Sequence, residues 1–152
     1  MTLRLEYMKE SPGAIKPILA LSKYIASSSL KPALREMVAV LVSKINGCYS
    51  CLDLHYEKAL KYRVEEQKLR LLPHYFELDF FSETEKAALR WAENVTNVGE
   101  THVPFEAFED VKAHFTHEEI MDLTMHIILM NSWNRLSIAF GEKPEQRKKQ
   151  TV

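Results

Sequence analysis

LREMVAVLVSKINGCYSCLDLH, Leu34 to His55, is the stretch whose reading decides the fold. Its first half contains MVAVLV, Met37 to Val42, an apolar run that suits a buried strand as well as a buried helix. The surroundings settle the matter. From Pro32, a residue suited to the first helical position, to Ile45 the segment has no internal breaker, and Leu34, Val38, Leu41, Val42 and Ile45 recur at three- and four-residue steps. A helix is therefore predicted. Asn46 is a favourable N-cap and Gly47 is tolerated beside it, so a second helix is predicted to begin just before Cys48 and to end near Tyr62.

Outward from this pair the same grammar repeats. Ser11-Pro12 combines an N-cap with a first-turn proline, and Ile15, Ile18, Leu19 and Ile25 follow as an apolar stripe. Ser82 with Glu85, and Thr116 with Glu119, form S/T-x-x-E capping boxes. The first opens a helix through Ala87, Leu89, Trp91 and Val95; the second opens the longest helix, through Ile120, Leu123, Ile127, Trp133 and Leu136, stopped by Gly141 and Pro144. Val64 to Leu72 reads as a shorter helix, and Val103-Pro104 starts another. With four glycines in 152 residues and no strand-helix alternation, the expected fold is an all-α bundle of six to eight helices. Residues 1–141 form one domain in this reading, and 142–152 a mobile polar tail.

Twenty basic side chains face twenty-one acidic ones, a formal charge of −1. That balance calls for neither nucleic acid nor a membrane surface. No continuous apolar leader opens the chain, and no run approaches the roughly 20 residues a bilayer requires. A cytoplasmic location is expected. In such a compartment a close cysteine pair is more often catalytic or metal-binding than a structural staple.

Cys48 and Cys51 are the chain's two cysteines. At i and i+3 on a helix they share a face, with Cα atoms about 5–6 Å apart, a span a disulfide tolerates. A helix start favours a thiolate, which gives Cys48 a claim to be the nucleophile. His55, at i+4 from Cys51, gives Cys51 an equal claim, because an imidazole there can take and return the thiol proton. Glu36, a carboxylate inside an apolar stretch, is the candidate that orients His55.

These residues resemble the alkylhydroperoxidase D-like branch of the carboxymuconolactone decarboxylase family, whose pattern is a glutamate, eleven residues, then C-x-x-C-x-x-x-H. Glu36, Cys48, Cys51 and His55 fit that spacing. FSETEKAALRWAENVT, Phe81 to Thr96, and MNSWNRLSIAFG, with Asn131, Trp133, Asn134 and Arg135, extend the likeness over roughly Leu30 to Gly141. Two positions depart: Arg63 stands where many relatives have glycine, and Ser50 where the best-known peroxidase has a histidine. The resemblance implies a helical subunit assembling as a homo-oligomer, a trimer or hexamer, with thiol peroxidase activity. By it, Cys51 attacks a peroxide, His55 and Glu36 relay the proton, and Cys48 resolves the sulfenic acid as a disulfide. An external thiol or dithiol donor then restores the pair, and the dithiol is the redox group, with no separate cofactor.

Other readings compete. Cys48, Cys51 and His55, with Glu36 as a fourth ligand, are groups zinc accepts, though structural zinc sites usually draw on two C-x-x-C-like clusters. Two buried small hydrophobes is the bland account of the cysteines. The dithiol could also act as a redox-sensing switch, and the family includes decarboxylase and lactone-handling members whose typical sites need no cysteine pair. His126, four residues after Asp122, reads as a structural pair on one helix face. His114 and His117 read as exposed, and Trp133 and Met130 as core or subunit contact.

Overall fold

The computed structural model describes residues 2–144, and among these the regular secondary structure is entirely helical. In chain order the helices are α1 (Tyr7–Glu10), α2 (Pro12–Ala26), α3 (Pro32–Asn46), α4 (Tyr49–Lys61), α5 (Glu66–Arg70), α6 (Glu83–Thr96), α7 (Val98–Thr101), α8 (Phe105–His114) and α9 (His117–Phe140). A 3-10 turn, Leu72–His74, follows α5. Six helices are ten residues or longer. The predicted Val64–Leu72 helix is instead the short α5 and its 3-10 continuation, and α7 is an added turn that no apolar period announces.

Helix α3 is the axis, packed against α4, α6 and α9. Val38, Ala39, Val40 and Val42 are completely buried, although they point in different directions around the helix. A helix enclosed on several sides has no polar face, so its sequence reads as a continuous run that periodicity alone cannot tell from a strand. Both capping boxes are formed: the Ser82 side chain accepts from the Glu85 N–H and the Thr116 side chain from the Glu119 N–H, with each glutamate bonded back to the cap backbone.

The junction of α3 and α4 corrects the expected helix start. Asn46 is the last residue of α3, and Gly47, at φ 68°, is its left-handed C-cap. The Gly47 and Cys48 N–H groups close the end of α3 on the carbonyls of Lys44 and Ser43. Cys48 is thereby the N-cap of α4, and the first turn belongs to Tyr49, Ser50 and Cys51. At the other end of α4, Arg63 takes the left-handed conformation (φ 62°) and the Val64 N–H bonds back to Ala59. A glycine would hold that turn without strain.

The NSWNR segment of α9 clamps this junction. The Asn46 side-chain amide donates to Asn134 Oδ1 (2.9 Å) and Asn131 Oδ1 (3.1 Å), and Asn134 Nδ2 donates to Ser43 Oγ (3.2 Å). Asn134 and Ser43 are fully buried. Truncating Asn134 to alanine leaves buried polar partners unpaired, so Asn134→Ala is expected to cost about 3 kcal/mol. Chemical denaturation checks this; a loss under about 1 kcal/mol contradicts a clamping role.

The expected tail, 142–152, falls mostly outside the described residues. Its first residue is held by the fold: Glu142 accepts hydrogen bonds from Tyr7 and Ser137.

Candidate active site

The site grows from two helices whose connection is one turn long. Because α3 ends at Asn46 and α4 starts at Tyr49, the two run back along each other, and residues equally distant from the turn meet. Glu36 on α3 and His55 on α4 meet across this pair of helices, though not at equal distances from the turn: His55 Nδ1 lies 2.6 Å from Glu36 Oε2, and both side chains are largely buried. A carboxylate beside Nδ1 fixes the hydrogen there and leaves Nε2 as the basic nitrogen.

One helical turn before His55, Cys51 is joined to Cys48 in a disulfide, with Cα atoms 5.4 Å apart. Both cysteines are nearly inaccessible to solvent. Cys51 is in the first turn of α4, so the helix start that the sequence assigned to Cys48 favours a Cys51 thiolate in the reduced protein. Cys48 Sγ lies 3.6 Å from Ser50 Oγ. Ser50 thus puts a hydroxyl beside Cys48.

A cleft of about 780 Å³ runs between α2, α3, α4 and α9, and Glu36, Cys51 and His55 all line it. The four predicted site residues are therefore brought together, three of them on one wall. Sequence reasoning missed what stands opposite. Ser137 Oγ on α9 lies 3.6 Å from Cys51 Sγ; the Ser137 hydroxyl donates to Glu142 Oε2 (2.5 Å), and the Tyr7 hydroxyl donates to the same oxygen (3.0 Å). A reduced Cys51 would find the Ser137 oxygen as acceptor for its S–H. Ser137 and Glu142 are five residues apart, but Tyr7 and Cys51 reach them from 135 and 86 positions away, so no spacing could have announced the group.

His126 also lines the cleft, but not in the pairing expected from Asp122. Asp122 accepts from the Tyr24 hydroxyl (2.8 Å), and His126 Nε2 lies 2.9 Å from the Arg35 carbonyl. A carbonyl only accepts, so Nε2 carries the hydrogen and Nδ1 is bare, with no partner among the described residues. Burial drives the His126 pKa down to about 4, only partly offset by the bond to Arg35. In the unfolded chain it returns to its ordinary value near 6.5. A lowered folded pKa means that stability is complete above about pH 6.5 and falls as the pH drops towards 4, by about 3 kcal/mol from this group. Denaturant titrations across that window check the loss. His126→Gln, which keeps a donor for the Arg35 carbonyl, should flatten it; an unchanged acid limb contradicts the assignment.

Among the described residues no three His, Cys, Asp or Glu side chains converge as a metal-binding group. No described helix is long and apolar enough to cross a membrane.

The fold is all-helical among the described residues, with a disulfide-linked C-x-x-C at a helix start and a glutamate-histidine pair in the adjoining cleft. The carboxymuconolactone decarboxylase family model matches residues 12–94. YdfG of Bacillus subtilis (strain 168), an uncharacterised protein, is 37% identical over 143 residues, covering 94% of this chain and 97% of that one. The crystal structure of ATU0492 from Agrobacterium tumefaciens, a protein of unknown function suggested to be an antioxidant defence protein AhpD, superposes with a TM-score of 0.92. Its identity is 35%, over 96% of this chain and 100% of that one. An alkylhydroperoxidase AhpD core, a peroxidase-related protein from Ralstonia eutropha JMP134, shares the fold at a TM-score of 0.79 and 22% identity, over 91% and 74% of the two chains. The chain belongs to the carboxymuconolactone decarboxylase family, in its alkylhydroperoxidase D-like branch.

Proposed function

We propose that the protein is a thiol-dependent peroxidase that reduces hydroperoxides through Cys51 and Cys48. The observation that carries this reading is the shared cleft: Cys51, already linked to Cys48, opens on the same cavity as His55 and its partner Glu36.

In the proposed cycle His55 takes the Cys51 thiol proton, and the thiolate attacks the distal oxygen of R–O–O–H. The sulfur–oxygen bond forms as the O–O bond breaks, leaving Cys51 as a sulfenic acid and the substrate as an alkoxide. The imidazolium, held by Glu36, returns its proton to the alkoxide and releases the alcohol. The Cys48 thiol then attacks the Cys51 sulfur, forming the disulfide and releasing water. Two equivalents of an external thiol, or one of a dithiol, reduce that disulfide and are themselves oxidised. In this cycle a Cys48–Cys51 disulfide is the last intermediate, and a reducing compartment such as the cytoplasm would supply the donor. A homo-oligomeric state is supported by α9, which exposes Met121, Ile128 and Ile138 on its outer side.

The test is peroxide consumption by the reduced protein in the presence of excess dithiothreitol. Repeated turnover with one alcohol released per peroxide supports the reading. Thiol oxidation that changes the assembly state in size-exclusion chromatography, with no repeated turnover, would point to a redox switch instead.

A further inference from the structure

The cleft has direction. Among the α4 residues that line it, Cys51, His55, Lys58 and Lys61 follow one helix face from the first turn to the last. On α9 the lining runs from Ser137 back through Trp133 and Met130 to His126. Ten residue steps along α4 and eleven along α9 are two rulers for the same trough, and at about 1.5 Å per step both give a length of roughly 15 Å. Between its ends the walls are apolar, with Ile25, Leu54, Leu129, Met130 and Trp133.

Charge is segregated along that length. Glu142 stands at the Cys51 end, beside Ser137, and Glu36 is on the His55 pair. Lys58 and Lys61 stand at the other end, in the last turn of α4, and Arg35 lines the cleft with its guanidinium bonded to the Ile25 carbonyl. An anionic group is repelled from the reacting end and attracted to the lysines, while an aliphatic chain fills the trough between. A small peroxide would use almost none of this surface.

We propose that the substrate is a linear aliphatic hydroperoxide bearing a carboxylate, lying along α4 with its peroxide at Cys51 and its carboxylate at Lys58 and Lys61. This assignment of substrate class rests on the peroxidase reading above; the two lysines determine specificity and take no part in the chemistry.

The test uses product alcohols and the oxidised, disulfide-bonded protein, so that no turnover is involved. A linear medium-chain ω-hydroxy carboxylic acid and its methyl ester, equal in length but differing in charge, are titrated against tryptophan fluorescence, to which Trp133 in the cleft contributes. The wild type is expected to bind the acid about tenfold more tightly than the ester, with the ratio shrinking at high salt. In Lys58→Gln/Lys61→Gln the ratio should fall to near one, and in Lys58→Arg/Lys61→Arg it should be retained. Equal affinity of the wild type for acid and ester, failure of both to bind, or a ratio undiminished in the glutamine variant overturns the proposal. A protein that shows the charge preference yet consumes no hydroperoxide fails the peroxidase reading alone; one that consumes hydroperoxides without the preference fails only this assignment.

Discussion

Cys51→Ser is expected to bring peroxide consumption down to the uncatalysed rate, a loss of at least about 10³-fold, while the fold stays intact. In the proposed cycle the Cys51 sulfur accepts the distal oxygen, and a serine hydroxyl in its place is a poor nucleophile at neutral pH. The companion variant separates the two cysteines. Cys48→Ser keeps the attacking thiolate but removes the resolving one, so one peroxide per chain should be consumed rapidly and turnover should then stall with Cys51 held as a sulfenic acid. Intact mass before and after a cyclic-diketone trap reads that state directly. The assignment follows from the α3–α4 junction: Gly47 closes α3, Cys48 caps α4, and Cys51 opens onto the cleft. Reversed phenotypes, with Cys48→Ser inert and Cys51→Ser reacting once, would contradict it.

His55→Ala is expected to lower kcat/KM by about 10²–10⁴-fold, the range a positioned proton-transfer group contributes. The imidazole acts twice in the proposed cycle, removing the thiol proton and protonating the alkoxide. Glu36→Gln should give a smaller loss, about 10²-fold, because an amide oxygen can still receive the Nδ1–H but no longer stabilises the imidazolium. The double variant should be little worse than His55→Ala, since Glu36 acts through the ring it bonds at 2.6 Å. Single-turnover rates with the pre-reduced variants measure both steps. Additive losses in the double variant would mean that Glu36 serves some other purpose.

The grouping of the candidate site residues was legible because it is largely local. Cys48, Cys51 and His55 are set by helical spacing, and Glu36 meets His55 because two helices joined by a single tight turn must run back along each other. The helix boundary was misplaced for an equally local reason. Asn46-Gly47 has the chemistry of a start, but a glycine at φ 68° ends the preceding helix, and Asn46 spends its side chain on α9 rather than on a cap. The far wall of the site was not legible at all. Ser137 reaches Cys51 across 86 positions, Tyr7 reaches Glu142 across 135, and His126 forsakes its i−4 aspartate for a carbonyl 91 positions away. Such pairings are dictated by how helices pack, which no period in the sequence encodes.

The central claim is that Cys51 and Cys48 together pass two electrons to a hydroperoxide. Stoichiometry in a single turnover tests it most directly: pre-reduced protein, freed of external thiol, is mixed with excess alkyl hydroperoxide, and both thiols and alcohol are counted. Two thiols lost and one alcohol formed per chain, with a Cys48–Cys51 disulfide found by mass spectrometry, is the result this structure predicts. Thiols that persist in the presence of peroxide, or that oxidise without releasing the alcohol, would contradict it.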